Sequence, residues 1–152
     1  MDTKSKILIV DDNEVVRQSF LRSLQSEQRE IALAADGLAT MRAMETQPFD
    51  VVLLDLRMPG MDGMAVLKTI KQRWPESEVV VITGYPSIET AIEAVRLGAF
   101  DYLSKPVGPD EVITVTDEAT TQKRWRLHTE HPINPEALME RAAPRETTSY
   151  VH

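Results

Sequence analysis

Asp50-Val51-Val52-Leu53-Leu54-Asp55 decides the fold. Four apolar residues, two of them β-branched, lie between two aspartates with no polar residue among them. A strand with one wet face alternates apolar and polar residues, whereas a strand of a parallel sheet, buried on both faces, does not. Working outward, Ile7-Leu8-Ile9-Val10 and Val79-Val80-Val81-Ile82 read the same way, and Ile31–Ala34 and Phe100–Leu103 complete a set of five. The segments between them carry apolar residues at helical spacing: Val16, Phe20, Leu24; Leu38, Met41, Met44; Met64, Leu67, Ile70, Trp74; and Ile88, Ala91, Ile92, Val95. Pro48 and Pro75 each stop a helix, Gly98 suits the left-handed residue after one, and Pro109 suits the first turn of a fifth. Five alternations of strand and helix imply right-handed crossovers and an open parallel α/β sheet covered by helices on both faces.

A chain of 152 residues has room for one ordinary domain. It contains no cysteine, which excludes disulfides, thiolate zinc sites, iron–sulfur clusters and cysteine nucleophiles. A formal charge of −7 has the wrong sign for coating nucleic acid, so no direct nucleic-acid binding is expected. No apolar run approaches the ~20 residues a membrane span needs, and the N-terminus does not read as a signal peptide. A cytoplasmic protein without membrane contact is expected. His128, His131 and His152 all lie near the C-terminus, so chemistry in the main body must use carboxylates, hydroxyls, lysine and backbone. The pattern weakens after Arg126. We therefore expect a domain over 1–127 and a linker or flexible tail over 128–152, where a short helix at Pro135–Arg141 would have little to pack on.

In an open parallel sheet the ligand site lies beyond the carboxyl ends of the strands. There the first strand ends in Asp11-Asp12, the third in Asp55 and the fourth in Thr83, while the fifth leads through Ser104 to Lys105-Pro106. Taken singly, each has a plainer reading: an Asp-Asp pair caps helices, Asp55 suits a turn, and Thr83 before Gly84 suits a loop. Together they bring three carboxylates, a hydroxyl and an ammonium to one edge. A pair of like charges ~4 Å apart at an effective dielectric of 20 costs about 4 kcal/mol, which a hard divalent cation such as Mg²⁺ would relieve. A metal, a carboxylate nucleophile and a lysine are parts for handling a phosphoryl group. Met58, Met61 and Met64 are expected to serve packing.

The stretches ILIVDDNE (Ile7–Glu14), DVVLLDLRMPGMDG (Asp50–Gly63), VVVITGYPS (Val79–Ser87) and GAFDYLSKPV (Gly98–Val107) resemble, in order and spacing, the receiver domain of bacterial two-component response regulators. The stretch from Ile88 to Pro106 further resembles receivers of nitrogen-regulation-type activators. The resemblance implies a flavodoxin-like sheet of strand order 2-1-3-4-5, an order that alternation alone does not establish. It implies that Asp55 accepts a phosphoryl group from a sensor histidine kinase. Asp12 and Asp55 would bind Mg²⁺ with the carbonyl of Arg57, and Asp11 would hold a water of the metal. Lys105 would pair with the phosphoryl oxygens, and its bond to Pro106 would be cis. Thr83 would turn to the phosphoryl group and Tyr102 would follow, reshaping the face of helix four, strand five and helix five. Such a chain is a self-phosphorylating switch and not an enzyme with turnover.

Two rivals remain beside it. A stand-alone phosphoryl carrier would use the same site. A haloacid-dehalogenase-type magnesium phosphatase also forms an aspartyl phosphate, but its nucleophile belongs to the first strand, and it needs an acid where Arg57 stands. A nucleotide-binding module would need a glycine-rich loop after the first strand, which has Asp-Asp-Asn-Glu instead. By the same resemblance, Arg57 and Tyr85 flank the water's approach, so slow self-dephosphorylation is expected. A homodimer and a downstream effector domain or protein are the further partners left open. Arg96, Asp101 and Glu111 suit a charged lattice between copies, but helix five lacks its basic partners before Lys123. Self-association, if any, is expected to rest on residues 112–127 with Trp125 at the seam.

Overall fold

The computed structural model describes residues 4–129, with side chains as far as Trp125. Of the tail expected over 128–152, residues 130–152, with His131, His152 and the helix at Pro135–Arg141, lie outside the described residues, as does the side chain of His128, while the backbone of 128–129 continues the last helix. The elements run β1 (Ser5–Val10), α1 (Glu14–Leu24), β2 (Arg29–Ala34), α2 (Gly37–Thr46), β3 (Val51–Leu54), a small hairpin of β4 (Arg57–Met58) and β5 (Met61–Asp62), α3 (Gly63–Arg73), β6 (Glu78–Thr83), α4 (Ile88–Arg96), β7 (Asp101–Ser104) and α5 (Pro109–Thr129). The five-stranded sheet is parallel throughout, in the order β2-β1-β3-β6-β7. With the hairpin left out of the count, this is the flavodoxin-like order 2-1-3-4-5. No helix among the described residues is long and apolar enough to cross a membrane.

The unbroken apolar strands are buried on both faces, as their composition requires. Leu8, Val10, Val52, Leu54, Val79 and Val81 face a core completed by Met44 of α2, Val66, Leu67 and Ile70 of α3 and Ala94 of α4. The alternate residues Ile7, Ile9, Val51, Leu53, Val80 and Ile82 face Phe20 and Leu24 of α1 and Val112, Val115 and Ala119 of α5. Gly98 takes the left-handed conformation (φ 104°) after α4, where a β-carbon would be strained. Pro109 opens α5, a position where a missing N–H costs nothing. The β-branched run Val112–Thr116 forms a helix because it is packed: Val112, Val115 and Thr116 are buried, and Thr116 accepts a bond from the Thr120 hydroxyl at 2.8 Å. Farther along α5, Lys123 Nζ reaches Asp50 Oδ1 at 2.7 Å, and Asp117 pairs with Arg29 at 2.9 Å.

Three details depart from the periodicity. Leu38 points to solvent, and α2 buries Gly37, Thr40 and Met44 instead. In α4 the spaced apolar residues Ile88, Ile92 and Val95 are exposed, and Ala94 makes the core contact. The β4–β5 hairpin had no strand signature, because two-residue strands are too short to show one. Its turn is Pro59-Gly60. Met58 is buried, and Met61 and Met64 pack on the same core, so the methionines serve packing as expected.

Candidate functional site

Sheet register builds the site. Val10 pairs with Leu54 across β1 and β3, so Asp11 and Asp55 leave the sheet side by side. Asp55 N donates to Val10 O at 3.0 Å and Asp11 N to Ala34 O at 3.1 Å, which carries the ladder one residue past each strand. Counting in twos, Asp11 follows Ile7 and Ile9, Asp55 follows Val51 and Leu53, and Lys105 follows Leu103. All three continue the series that faces α1 and α5. Thr83 follows Val79 and Val81 on the opposite face, the one shared with Tyr102. The proposed chemistry and the proposed switch thus start on different faces of one sheet.

Lys105 Nζ lies 2.7 Å from Asp11 Oδ2 and 3.6 Å from Asp55 Oδ2. Asp11 and Asp55 are buried and Asp12 is exposed. The three can each present an oxygen with all such oxygens within 4.8 Å of one another. Burial raises the Asp55 carboxyl above its ordinary range, and the Asp11 charge adds to this, while Lys105 and the Arg57 backbone N–H oppose it. A site of two buried carboxylates and one exposed one, holding more negative charge than one lysine neutralises, fits a hard divalent cation.

The capping reading of Asp11-Asp12 does not hold. Asn13 is the N-cap of α1, its side chain accepting the Val16 N–H at 3.2 Å, and Asp11 Oδ1 accepts the Asn13 N–H at 2.9 Å. Arg17 Nη1 also donates to the Asp11 carbonyl at 2.7 Å. Neither Asn13 nor Arg17 stood out in the sequence, since a cap and a helical arginine are ordinary there. Asp55 Oδ1 accepts the Arg57 N–H at 3.3 Å, a turn-like contact that orients the carboxylate. The turn closes tightly because Gly63 N donates to Leu56 O at 3.1 Å, an approach at which any β-carbon on Gly63 would strike the Leu56 backbone.

Thr83 is buried and its Oγ1 accepts the Tyr85 N–H at 3.1 Å. Across the mouth of the cleft the Arg57 guanidinium stacks on the Tyr85 ring, 4.1 Å from its centroid. Tyr102 is half-buried, with its hydroxyl 2.6 Å from Thr90 Oγ1, a partner that no strand-end reading of the sequence could supply. The Lys105–Pro106 peptide is cis. The open cleft, of about 820 Å³, is lined by Asp11, Asp12, Asp55, Arg57, Tyr85 and Lys105 among others.

The model of the response regulator receiver domain matches residues 7–117. The chain is 40% identical over 127 residues to the DNA-binding transcriptional regulator NtrC of Klebsiella pneumoniae, covering 83% of this chain and 27% of that protein. It is 34% identical over 126 residues to a putative response regulator NtrX-like of Rickettsia conorii, covering 80% and 27%. It therefore spans about a quarter of the length of these curated relatives. Among solved structures, NtrX from Brucella abortus superposes with a TM-score of 0.78 at 33% identity over 84% of this chain and 30% of that one. A CheY-like receiver domain protein from Methanospirillum hungatei does so at 0.78 and 27%, over 82% and 99%.

Proposed function

This chain belongs to the response regulator receiver domain family, and from that premise we propose that it is a phosphoacceptor switch of the NtrC and NtrX type with Asp55 as the accepting residue. The observation that carries the reading is the placement of Asp55: buried at the end of the central strand, within 4.8 Å of two further carboxylates and 3.6 Å from a lysine ammonium. A carboxylate oxygen of Asp55 attacks the phosphorus of a phosphohistidine on a sensor kinase. The P–N bond breaks, its electron pair stays on the imidazole nitrogen, and that nitrogen takes up a proton. Asp11, Asp12, Asp55 and the carbonyl of Arg57 would hold Mg²⁺, which when bound neutralises charge on the transferring phosphoryl group. Lys105, already 2.7 Å from Asp11 and 3.6 Å from Asp55, pairs with a phosphoryl oxygen. Thr83 turns its hydroxyl to the phosphoryl group, and Tyr102 moves with it on the shared face.

The domain occupies residues 1–127, in the cytoplasm, with the kinase as phosphodonor and an effector domain or protein as the reader of the face formed by α4, β7 and α5. The domain catalyses its own phosphorylation and slow dephosphorylation and turns over no external ester. Self-association, where it occurs, draws on the end of α5, because Val112, Val115 and Ala119 are occupied by the core while Trp125 is exposed. Incubation with acetyl phosphate and Mg²⁺ tests the reading. Intact mass should rise by one phosphoryl group, and Asp55→Asn should abolish the gain. Labelling that survives this substitution, or steady release of phosphate from esters, sinks it.

A further inference from the structure

Away from the carboxylate cleft, three hydroxyls meet where the first turn of α4 approaches β7. The Tyr102 phenol lies 2.6 Å from Thr90 Oγ1 and accepts the Ser87 N–H at 3.2 Å. Ser87 caps α4 by accepting the Thr90 N–H at 3.1 Å, and Thr90 Oγ1 lies 2.9 Å from Ser87 Oγ and 3.2 Å from the Ser87 carbonyl. One arrangement of protons satisfies the whole group: Tyr102 and the Ser87 hydroxyl both donate to Thr90 Oγ1, and Thr90 donates to the Ser87 carbonyl. Apolar packing holds this end of the helix poorly, since Ile88 is 78% exposed and the buried residue of α4 is Ala94, near its other end.

The group is also connected to Thr83. The Tyr85 N–H binds Thr83 Oγ1, and two residues later the Ser87 N–H binds the Tyr102 phenol. The loop between β6 and α4 is thus pinned at one end to the hydroxyl of β6 and at the other to the phenol of β7. Both side chains lie on the face of the sheet that carries α4. Tyr102 cannot leave its place without giving up the 2.6 Å contact to Thr90.

We propose that Thr90 is a positioning residue for the switch: its hydroxyl latches Tyr102 to the first turn of α4 and opposes the rearrangement that phosphorylation of Asp55 drives. The proposal rests on the phosphoacceptor reading above. A ligand that favours the rearranged state must first outweigh whatever stabilises the resting one. Deleting one net hydrogen bond from the resting state should shift that balance about two- to tenfold.

The test titrates the full chain with beryllofluoride and Mg²⁺, a stable phosphoryl mimic, and follows hydrogen exchange in peptides covering 84–97. Thr90→Val should respond at about two- to tenfold lower beryllofluoride than the parent. Thr90→Ser, which keeps the hydroxyl, should respond like the parent. Tyr102→Phe, which also gives up the bond from the Ser87 N–H, should shift the midpoint at least as far, and adding Thr90→Val to it should shift it no further. Without beryllofluoride, Thr90→Val should speed exchange in the first turn of α4. An unchanged midpoint in Thr90→Val, or additive shifts in the double variant, overturns the latch. A response that persists in Asp55→Asn overturns the phosphoacceptor reading instead, and the exchange measured without beryllofluoride still judges the latch separately.

Discussion

Helices α3 and α4 lie against the same face of the sheet and carry the same kind of apolar spacing, yet they are held in different ways. Val66, Leu67 and Ile70 of α3 are buried to 2% exposure or less, so burial of side chains fixes that helix. In α4, Ile88, Ile92 and Val95 are 78%, 47% and 63% exposed, and the core contact is a single alanine. Its N-terminus is fixed instead by the hydrogen bonds of Ser87, Thr90 and Tyr102. Helical spacing of apolar residues therefore establishes that a helix exists, not that its apolar stripe faces inward. A helix held by a few hydrogen bonds and little burial is also the one that opens at low cost.

The largest expected effect separates the two helices directly. Leu67→Ala should lower the free energy of unfolding by about 2–5 kcal/mol, the range for a fully buried leucine, whereas Ile92→Ala should change it by no more than about 0.5 kcal/mol. Urea denaturation of both variants decides the matter. Comparable losses would mean that α4 packs as tightly as α3 and would remove the contrast.

Next in size is the effect of Asp55, which ends the strand leading into α3. Burial, then the Asp11 charge, raises its folded pKa above the ordinary 3.8. The folded protein therefore binds this proton more tightly than the unfolded chain, and stability falls as pH rises from the ordinary value through the raised one. In EDTA, Asp55→Asn should stabilise the protein at neutral pH, and the gain should fade as pH falls through the raised pKa and be gone by the ordinary carboxyl range. A variant less stable than its parent at pH 7 would show that the Lys105 attraction outweighs burial.

The fold was legible because its three inner strands, β1, β3 and β6, are buried on both faces, and continuous runs such as Val51–Leu54 and Val79–Ile82 admit few other readings. The candidate site was legible for a related reason: strand ends in a parallel sheet converge, so Asp11, Asp55, Thr83 and Lys105 could be located from where the apolar runs stop. What lay beyond reach depended on side chains meeting across elements. The outward turn of α4, the Thr90–Tyr102 contact, the Arg17 bond to the Asp11 carbonyl and the small β4–β5 hairpin leave no periodic trace. Asn13 was hidden in another way, because the two aspartates before it are equally good caps on paper.

The smallest effect concerns the loops that feed the two helices. The turn after β3 carries Arg57 and the loop after β6 carries Tyr85, and the two side chains stack 4.1 Å apart across the mouth of the cleft. Both lie toward solvent, so the contact is worth only about 0.5–1 kcal/mol, or two- to fivefold in a rate that depends on it. Under the phosphoacceptor reading, water attacking the aspartyl phosphate must pass this stack, and the guanidinium offers no base to orient it. Arg57→Ala and Tyr85→Ala should each speed loss of the phosphoryl group. Their combination should fall short of the product of the single effects by about two- to fivefold, because either change alone already breaks the stack. Decay of the labelled protein after removal of the phosphodonor gives all four rates. Independent effects would mean that the two loops do not act together on the cleft, and α4 would then communicate with Asp55 through Thr83 alone.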